Sequence, residues 1–363
     1  MHTIYCLDDT IKSFFETQPG VTRQQCDELA VSLVGGPVSP TPIQGAFSYT
    51  VVAGVQQTKI VQFRTQSSVL DMKTLSLARA IHGEIVVACA YHRDIGQPPP
   101  LSVYEMDRLP GTTYIEARCI NGHSTEPSPE ISLQYSNTVV DFARYVELYA
   151  TSDRADCTGR FFAASWKHRQ MMPLDEVESI HKDYEQKLEL LSRTLPVRYT
   201  ESLSKTRTEL PLLFTSTYPL VLSHDDLCEM NVLVDLKTGH ITGIIDWAEA
   251  RILPFGFSLW GFENVLGFMD SQGWHYYNNH GELEKSFWQA FQHGVGGVSE
   301  ADRQAIRVAR MAGFFLRYGF VWENGVRQIP AKESDSSLRY LDAFCLTDDR
   351  NATQKQPKQD HSV

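Results

Sequence analysis

The sequence predicts an α+β fold, with a small β-rich N-terminal part and a larger, mostly helical C-terminal part. Short β-like runs surround one amphipathic helix in the first hundred residues, whereas helical apolar spacing dominates after Pro110-Gly111. The chain has 363 residues, 42% of them hydrophobic and 11% aromatic, which is enough for a sizeable core. We expect the two parts at residues 1–108 and 109–345, followed by a disordered tail at 346–363.

The N-terminal part is expected to open with a helical extension over residues 1–40, ending in a stretch rich in Gly and Pro. Two antiparallel strands are predicted next, in FSYTVVAG and KIVQFR. The segment SVLDMKTLSLARAIHG has apolar residues at helical spacing, so a helix ending at Gly83 should follow. The runs EIVVACAYH and LSVYEMDRL then complete the order strand, strand, helix, strand, strand.

The C-terminal part contains several segments of helical pattern around one β-rich insertion. In the insertion, Val232–Val234 and Ile241–Ile245 are joined by a Lys-Thr-Gly turn and predict a hairpin. Ser299 and Asp302 resemble a capping box at the start of the last helix. The predicted helices span about 136–151, 174–193, 284–293 and 299–317.

Charge and cysteine usage exclude several classes of protein. The formal net charge of −11 argues against a nucleic-acid partner, which usually selects a basic surface. The seven cysteines are odd in number, scattered and without a C-x-x-C pair, so we expect reduced thiols in the cytoplasm. No segment has the roughly 20 apolar residues needed to span a bilayer, and the N-terminus lacks the pattern of a secretory signal.

One segment carries the strongest chemical signal, the run His224-Asp225-Asp226-Leu227-Cys228-Glu229-Met230-Asn231, which has the form H-x-D-x-x-x-x-N. The predicted hairpin follows, and then Ile-Ile-Asp-Trp with its carboxylate at Asp246. Phosphoryl transfer needs one carboxylate to orient the acceptor hydroxyl, and oxygen ligands to hold Mg²⁺ against the phosphates. A loop ending in Asn231, beside a strand ending in Asp246, supplies such ligands, with Asp226 projecting towards the acceptor.

These residues resemble the aminoglycoside phosphotransferase and choline kinase-like superfamily, relatives of protein kinases that act on small molecules. The resemblance covers roughly residues 40–345, and the wider wording IIDWAEARILPFGFSLWG resembles uncharacterised fungal members. It implies a protein-kinase-like two-lobed fold and transfer of the γ-phosphoryl group of ATP or GTP to a small-molecule acceptor. By motif position, Asp226 would be the catalytic base, and Asn231 and Asp246 the Mg²⁺ ligands.

Each of these residues also has a purely structural interpretation. Asp246 has the alternative role of capping a helix at Trp247. His224 is expected to be a satisfied core residue that braces the loop. Cys228 is expected to pack rather than to act as a nucleophile, because the sequence places no cation beside it.

The segments expected to bind the nucleotide match the superfamily pattern less closely than the H-x-D-x-x-x-x-N segment does. Gly45 and Ser48 lie where the resemblance places a phosphate-covering loop, although a glycine that begins a turn is common. The strand KIVQFR should supply a phosphate-binding cation, and strand alternation puts Gln62 and Arg64 on one face. Arg64 is favoured over Gln62 because it carries charge. Asp71 is either its acidic partner or a charge at the helix N-terminus.

Base and acceptor binding are assigned more coarsely. Backbone groups near Glu105 and Met106 resemble the hinge that binds a purine. The aromatic residues after Asp246 are expected to be mostly core. Beside Glu249 or Glu263, a minority of them would bind a cationic amine. Arg317 is as compatible with a scaffolding role as with a role in acceptor binding.

Other classes of protein are less well supported. The sequence contains no G-x-S-x-G, P-loop or G-x-G-x-x-G motif and no paired zinc-ligand spacing. The main rival is a kinase-fold protein that binds a ligand or a partner without catalysis, since the cation strand is irregular and the following helix lacks a Glu. A third possibility is phosphorylation that activates a hydroxyl for elimination or cyclisation.

Overall fold

The computed structural model describes residues 5–144, 161–323 and 326–346. Residues 145–151 of the predicted helix at 136–151, and the predicted tail after Leu346, lie outside these ranges. The first elements are α1 (Leu7–Thr17), α2 (Arg23–Val34), β1 (Val38–Pro40), β2 (Ser48–Ala53), β3 (Lys59–Thr65), α3 (Met72–His82), β4 (Cys89–Ile95), β5 (Leu101–Asp107) and β6 (Thr112–Thr113).

The later elements follow in chain order. They are α4 (Tyr114–Asn121), α5 (Pro129–Ala143), α6 (Phe162–Lys167), α7 (Leu174–Thr194), α8 (Thr200–Glu209), β7 (Leu220–Ser223), β8 (Val232–Val234), β9 (Ile241–Ile244) and β10 (Arg251–Pro254). The last are α9 (Trp260–Glu263), β11 (Gly267–Asp270), β12 (Gly273–Tyr276), α10 (His280–Val295), α11 (Glu300–Tyr318), β13 (Phe320–Glu323), β14 (Val326–Pro330) and α12 (Leu338–Cys345).

The chain divides into two compact units. Unit 1 contains the described residues up to Ala117 together with Met230–Ala250, and unit 2 contains the remaining described residues. Unit 1 holds an antiparallel five-stranded sheet in the order β1-β2-β3-β5-β4, and unit 2 is mostly helical. The predicted α+β class is therefore confirmed, with the five-stranded sheet in the N-terminal part.

The sheet of unit 1 has one face buried beneath α1 and α2. Strand alternation sends Val61 and Phe63 of β3 into this core, so that Gln62 and Arg64 occupy the opposite face. The helical extension thus exists as two helices, and its α2 begins with a capping box between Thr22 and Gln25. The core between helices and sheet includes Ile11, Phe14, Cys26, Ala30, Tyr49, Val51, Val61, Phe63 and Val103.

The predicted strand, strand, helix, strand, strand order is confirmed, with α3 ending at Gly83 as expected. Strand β4 begins at Cys89, five residues later than predicted. The apolar run before it, including Val86 and Val87, is buried without forming a strand. The Gly- and Pro-rich stretch also contains β1, a short strand that pairs with β2.

In unit 2, the predicted helices at 174–193, 284–293 and 299–317 are observed as α7, α10 and α11. Helix α5 starts earlier than predicted because Ser128 caps it and Pro129 occupies its first turn. It also ends earlier, since Arg144 has extended backbone. The Ser299 side chain accepts a hydrogen bond from the Asp302 backbone N–H, as the capping-box pattern predicts.

The core of unit 2 is built largely from aromatic rings, as expected for the residues after Asp246. Phe262 stacks on Phe287 with ring centroids 3.8 Å apart, and Phe255 packs against Trp166 and Phe291. The fully buried rings of this region include Phe255, Trp260, Phe262, Tyr277, Phe287, Phe291 and Phe314.

Candidate active site

The cation strand β3 carries Gln62 and Arg64 on the face away from the helices. Arg64 is only 3% exposed, yet it is a permanent cation, so its charge must be balanced locally. Its Nη1 donates to Gln62 Oε1 at 3.0 Å, so both candidates for the cation position belong to one cluster. The charge itself comes from Arg64.

Arg64 is fixed by Ser68 rather than by an acidic residue of the following helix. Its Nε donates to the Ser68 carbonyl oxygen at 2.5 Å and its Nη2 to the Ser68 hydroxyl at 2.7 Å. Asp71 instead caps α3, accepting hydrogen bonds from the Lys73 backbone N–H at 2.9 Å and from the Thr74 hydroxyl at 2.8 Å. Of its two predicted roles, the structure thus shows the helix-terminal one, and the serine takes the place of the missing helix Glu.

The remaining partner of Arg64 is Asp246. Nη1 lies 3.1 Å from Asp246 Oδ1, joining positions 182 residues apart within unit 1. Asp246 follows β9 in a left-handed backbone conformation with φ 59° and ψ 65°, and 40% of its side chain is exposed. This backbone conformation is strained for a residue other than glycine. Strained residues of this kind cluster at functional sites.

The second predicted metal ligand, Asn231, lies directly before β8 and is buried. Its carbonyl oxygen accepts the Ile245 backbone N–H at 2.9 Å, one residue before Asp246. The pairing of Val232 with Ile244 continues this contact into the β8–β9 hairpin. The hairpin therefore brings Asn231 and Asp246 to the same end.

This donor set suits Mg²⁺. One carboxylate and one amide oxygen are hard ligands, and Mg²⁺ uses few protein carboxylates while keeping several waters. Within the described ranges no group of three or more His, Cys, Asp or Glu side chains could hold a metal ion. The residues that fit a magnesium ion are Asn231 and Asp246.

The predicted phosphate loop lies beside this cluster in unit 1. Ser48 starts β2 opposite Arg64, and its hydroxyl accepts a hydrogen bond from Gln62 Nε2 at 3.4 Å. Gln44 braces the loop by accepting the Thr50 backbone N–H and donating to the Thr50 carbonyl oxygen, both at 2.8 Å. Gly45 has no left-handed backbone, so its conformation does not itself require glycine.

The predicted hinge residues, Glu105 and Met106, lie within β5. They pair with Val61 and Ile60 of β3, and the Glu105 carboxylate also contacts Lys59 at 3.2 Å. The strand ends one residue later, at Asp107, so the segment that leaves the sheet begins immediately after these positions. Their contact with a nucleotide base stays a prediction.

The segment from His224 to Glu229, which the sequence predicts to be the catalytic segment, belongs to unit 2. His224 is completely buried, and its Nδ1 accepts the Asp226 backbone N–H at 3.3 Å, in keeping with the predicted bracing role. Asp225 adopts a left-handed conformation with φ 57° and pairs with Arg251, whose Nη2 lies 2.6 Å from Asp225 Oδ2. The segment is thus held by one buried histidine and one ion pair.

Asp226, the candidate base, is paired with Arg317 of α11. Nη1 of Arg317 lies 2.8 Å from Asp226 Oδ1, and the guanidinium carbon lies 4.2 Å from the centre of the Trp260 ring. A third carboxylate of the segment, Glu229, pairs with Arg118 of α4. Burial raises the pKa of Glu229, although the charge of Arg118 opposes this.

Sequence reasoning missed these arginine partners, and no local signal marks them. Arg118 lies 111 residues before Glu229, and Arg251 belongs to β10, the strand after the β8–β9 hairpin. In the described part of unit 2, the three carboxylates of the segment are matched by three arginines, Arg118, Arg251 and Arg317.

The predicted amine-binding role of Glu263 does not fit its surroundings. Glu263 is 4% exposed, pairs with Arg310 and accepts the Tyr276 hydroxyl at 2.8 Å. Glu284 pairs with the other side of Arg310 at 2.9 Å. This buried network satisfies Glu263 internally, whereas Glu249 lies at the surface of unit 1.

Comparison with known proteins gives the chain a family. No curated protein sequence matches it significantly. Three similar solved structures are a GDP complex of aminoglycoside 2'-phosphotransferase-IIIa (14% identity, 94% of this chain and 98% of that chain, TM-score 0.48), a choline/ethanolamine kinase family protein from Mesorhizobium loti (14%, 96% and 96%, 0.47) and a macrolide 2'-phosphotransferase from Brachybacterium faecium (14%, 93% and 100%, 0.44).

A family model, described as phosphotransferase enzyme family (APH), matches residues 72–282. This stretch includes α3, the catalytic segment and the β8–β9 hairpin. The predicted resemblance to aminoglycoside phosphotransferase-type enzymes is thereby confirmed at the level of the family. Because the matched stretch exceeds half of the 363 residues, the chain belongs to the phosphotransferase enzyme family (APH).

Proposed function

We propose that this protein is a small-molecule kinase that transfers the γ-phosphoryl group of ATP or GTP to a hydroxyl, or an amine, of a small acceptor. Residues 1–108 would supply the nucleotide-binding sheet. Residues 109–345 would supply the catalytic loop and the acceptor site. A cytoplasmic setting belongs to this proposal, and among the described residues the six cysteines form no disulfide.

The observation that carries the proposal is the Arg64–Asp246 ion pair. The resemblance implies that Arg64 on β3 is the phosphate-binding cation and that Asp246 after the β8–β9 hairpin is a metal ligand. Their charges meet at 3.1 Å in unit 1. A cation and a carboxylate at this distance can bind the same triphosphate–metal complex. The cation would contact phosphate oxygens, and the carboxylate would bind the metal.

Each residue has a defined role in the step. Asp226 orients the acceptor hydroxyl and takes its proton as the oxygen attacks the γ-phosphorus. A bond forms between the acceptor oxygen and the phosphorus, the bond to the β-phosphate oxygen breaks, and the nucleoside diphosphate leaves. Asn231 and Asp246 would hold Mg²⁺, which supplies charge neutralisation on the phosphates.

Nucleotide positioning is assigned to the unit 1 cluster. Arg64 would contact the α- and β-phosphates, while Ser68 and Gln62 hold its guanidinium in place. Gly45 and the Ser48 hydroxyl would cover the phosphates, and backbone groups near Glu105 and Met106 would contact the base. Catalysis of this kind is mainly positioning and charge stabilisation, so an arginine in place of the usual lysine is compatible with turnover.

The direct test is the conversion of ATP and GTP to diphosphates with Mg²⁺ and a panel of small alcohols and amines, comparing wild type with Asp226→Asn. Loss of a general base usually costs about 10²–10⁴-fold in rate, and the isosteric amide should leave nucleotide binding nearly unchanged. Equal conversion by both proteins would contradict the role of Asp226. Nucleotide binding without transfer to any acceptor or to water would favour the non-catalytic alternative.

A further inference from the structure

Arg317, the penultimate residue of α11, is an arginine in an unusual environment within unit 2. Its side chain is only 19% exposed, and its guanidinium lies over the ring of the buried Trp260 at 4.2 Å. A cation over an aromatic face is attracted to the ring. The Trp260 ring and the Asp226 carboxylate therefore contact the guanidinium from two sides and restrict its movement.

The hydrogen-bonding capacity of Arg317 is largely unused. In the ranges that the structure describes, its one ion pair is with Asp226, and none of its N–H groups makes a hydrogen bond of good geometry. Arg64, by contrast, makes four hydrogen bonds, and Arg118 bonds both Glu229 and the Gly267 carbonyl oxygen.

In the described part of the chain, no Arg317 nitrogen is among the buried side-chain atoms that lack a hydrogen-bond partner, so its unused N–H groups are open to solvent or to a ligand. Burial lowers the pKa of Arg317, but the Asp226 carboxylate and other neighbours together raise it above its usual value, so the group remains a cation. Arg317 thus presents free donors and a permanent positive charge beside the candidate base.

The distance between Arg317 and Asp226 indicates which ligand atoms the N–H groups of Arg317 would contact. A hydroxyl oriented by Asp226 has its oxygen about 2.6–3.2 Å from the carboxylate. The phosphorus it attacks lies about 3–3.5 Å beyond that oxygen. Since Arg317 is 2.8 Å from the same carboxylate, the oxygens of the transferred group come within reach of its side chain.

We propose that Arg317 is a further catalytic residue, donating hydrogen bonds to the anionic oxygens of the transferring phosphoryl group. This inference rests on the proposed phosphotransferase function. As the acceptor oxygen bonds to phosphorus and the bond to the β-phosphate breaks, negative charge spreads over the three equatorial oxygens, and Arg317 stabilises it. The hydroxyl proton passes to Asp226, and Arg317 keeps its own protons.

The experiment uses the full chain as wild type, Arg317→Met, Arg317→Lys and, as a matched control, Arg307→Met. Arg307 lies on the same helix at an exposed position. Three quantities are measured: the unliganded unfolding midpoint, its rise with Mg²⁺–ATP, and its rise with Mg²⁺–ADP plus aluminium fluoride, which mimics the transferring group. Hydrolysis of ATP by water gives the rate.

We expect Arg317→Met to keep the rise with Mg²⁺–ATP but to lose the additional rise with aluminium fluoride. Hydrolysis should fall by about 10²–10³-fold, as when a transition-state donor is removed. Arg317→Lys should restore part of both, because it returns a point charge without the planar fork. Arg307→Met should match wild type.

Retention of the aluminium fluoride response and of hydrolysis in Arg317→Met would overturn the proposal. Equal loss of all nucleotide responses in Arg317→Met would indicate a general structural role instead. If wild type itself showed no response to Mg²⁺–ATP, the phosphotransferase function would fail, which separates that failure from the failure of Arg317.

Discussion

Arg64 is a buried cation whose orientation is set by hydrogen bonds to two neutral residues and one carboxylate. Ser68 and Gln62 hold its guanidinium, and Asp246 balances its charge at 3.1 Å. Because neutral residues accept three of its four hydrogen bonds, the guanidinium would keep its place if Asp246 bound a metal. The position of Arg64 therefore does not depend on a glutamate in the following helix.

Arg64→Met should weaken nucleotide binding while changing stability little, since the Asp246 carboxylate is 40% exposed and can be hydrated. Hydrogen bonds to charged groups are worth about 1.5–3 kcal/mol, so we expect a loss of affinity of roughly 10- to 100-fold. Isothermal titration with Mg²⁺–ATP and Mg²⁺–GTP measures it. Lys73→Met, which removes an exposed lysine of α3, is the control, and equal affinities for both variants would contradict the assignment of Arg64.

Residue types and their spacing predicted the unit 1 cluster well, because each of its members lies on a strand or directly beside one. Gln62 and Arg64 share a face through strand alternation, and the hairpin fixes Asn231 relative to Asp246. The partner of Arg64 was not predictable, since Asp71 and Asp246 are both acidic. The local preference of Asp71 for a helix cap decided between them.

At the scale of secondary structure, α3 is positioned by its N-terminal cap. Asp71 accepts the backbone N–H of Lys73 and the hydroxyl of Thr74, and the backbone hydrogen bond is the main cause that lowers the pKa of the Asp71 carboxyl. The cap matters for the site because α3 follows directly on the Ser68 segment that holds Arg64.

Asp71→Ala should lower the free energy of unfolding by about 1 kcal/mol at neutral pH, the usual cost of losing a cap. A carboxyl whose folded pKa is depressed stabilises the protein above its unfolded pKa of about 3.9, and this stabilisation disappears as the pH falls through the folded value. The difference between wild type and variant should therefore shrink below about pH 4. Urea unfolding at several pH values tests this, with Asp71→Ser as a variant that retains the cap.

Helix α11 contributes a buried ion-pair network as well as Arg317. Arg310 joins Glu263 and Glu284, and Glu263 is almost completely buried. Removing the cation leaves an uncompensated buried carboxylate, so Arg310→Met should cost about 3–5 kcal/mol of stability. Arg307→Met, at an exposed position of the same helix, should change stability by less than about 0.5 kcal/mol.

Denaturant unfolding of both variants distinguishes these expectations. Similar midpoints for Arg310→Met and wild type would show that the network is not a stabilising feature of unit 2.

The sequence could not predict this network, because aromatic residues surround Glu263 in the chain and suggested an amine site. Its partner Arg310 lies 47 residues later.

For the whole molecule, the net charge of −11 gives little information about the candidate active site. The charged side chains of that site are paired with each other. In unit 2 the carboxylates of the catalytic segment meet arginines from α4, β10 and α11. Such pairs depend on tertiary packing between distant segments, so composition and local motifs cannot predict them. The same holds for the return of Met230–Ala250 to unit 1, which follows from hairpin pairing with β6.

Element order was predictable where periodicity is strong, and boundaries were not. Strands β2, β3, β5 and β8 and helices α3, α7 and α11 follow their sequence patterns closely. Strand β1 lies in a segment rich in Gly and Pro and is only three residues long, so pairing with β2 rather than propensity creates it. The apolar run before β4 serves as core instead of strand, which periodicity cannot distinguish.

Among the described residues, no helix is long and apolar enough to cross a membrane.

The measurement that tests the nucleotide site most directly is thermal unfolding with ATP or GTP, with and without Mg²⁺, for wild type and Asp246→Asn. Asp235→Asn, a carboxylate in the turn of the same hairpin, is the control. Nucleotide at about 100 times its dissociation constant should stabilise wild type by about 2.7 kcal/mol. We expect this rise in midpoint to require Mg²⁺, to persist in Asp235→Asn and to vanish in Asp246→Asn. A wild-type midpoint that neither nucleotide changes, or a full rise in Asp246→Asn, would contradict a metal–nucleotide site at Asn231 and Asp246.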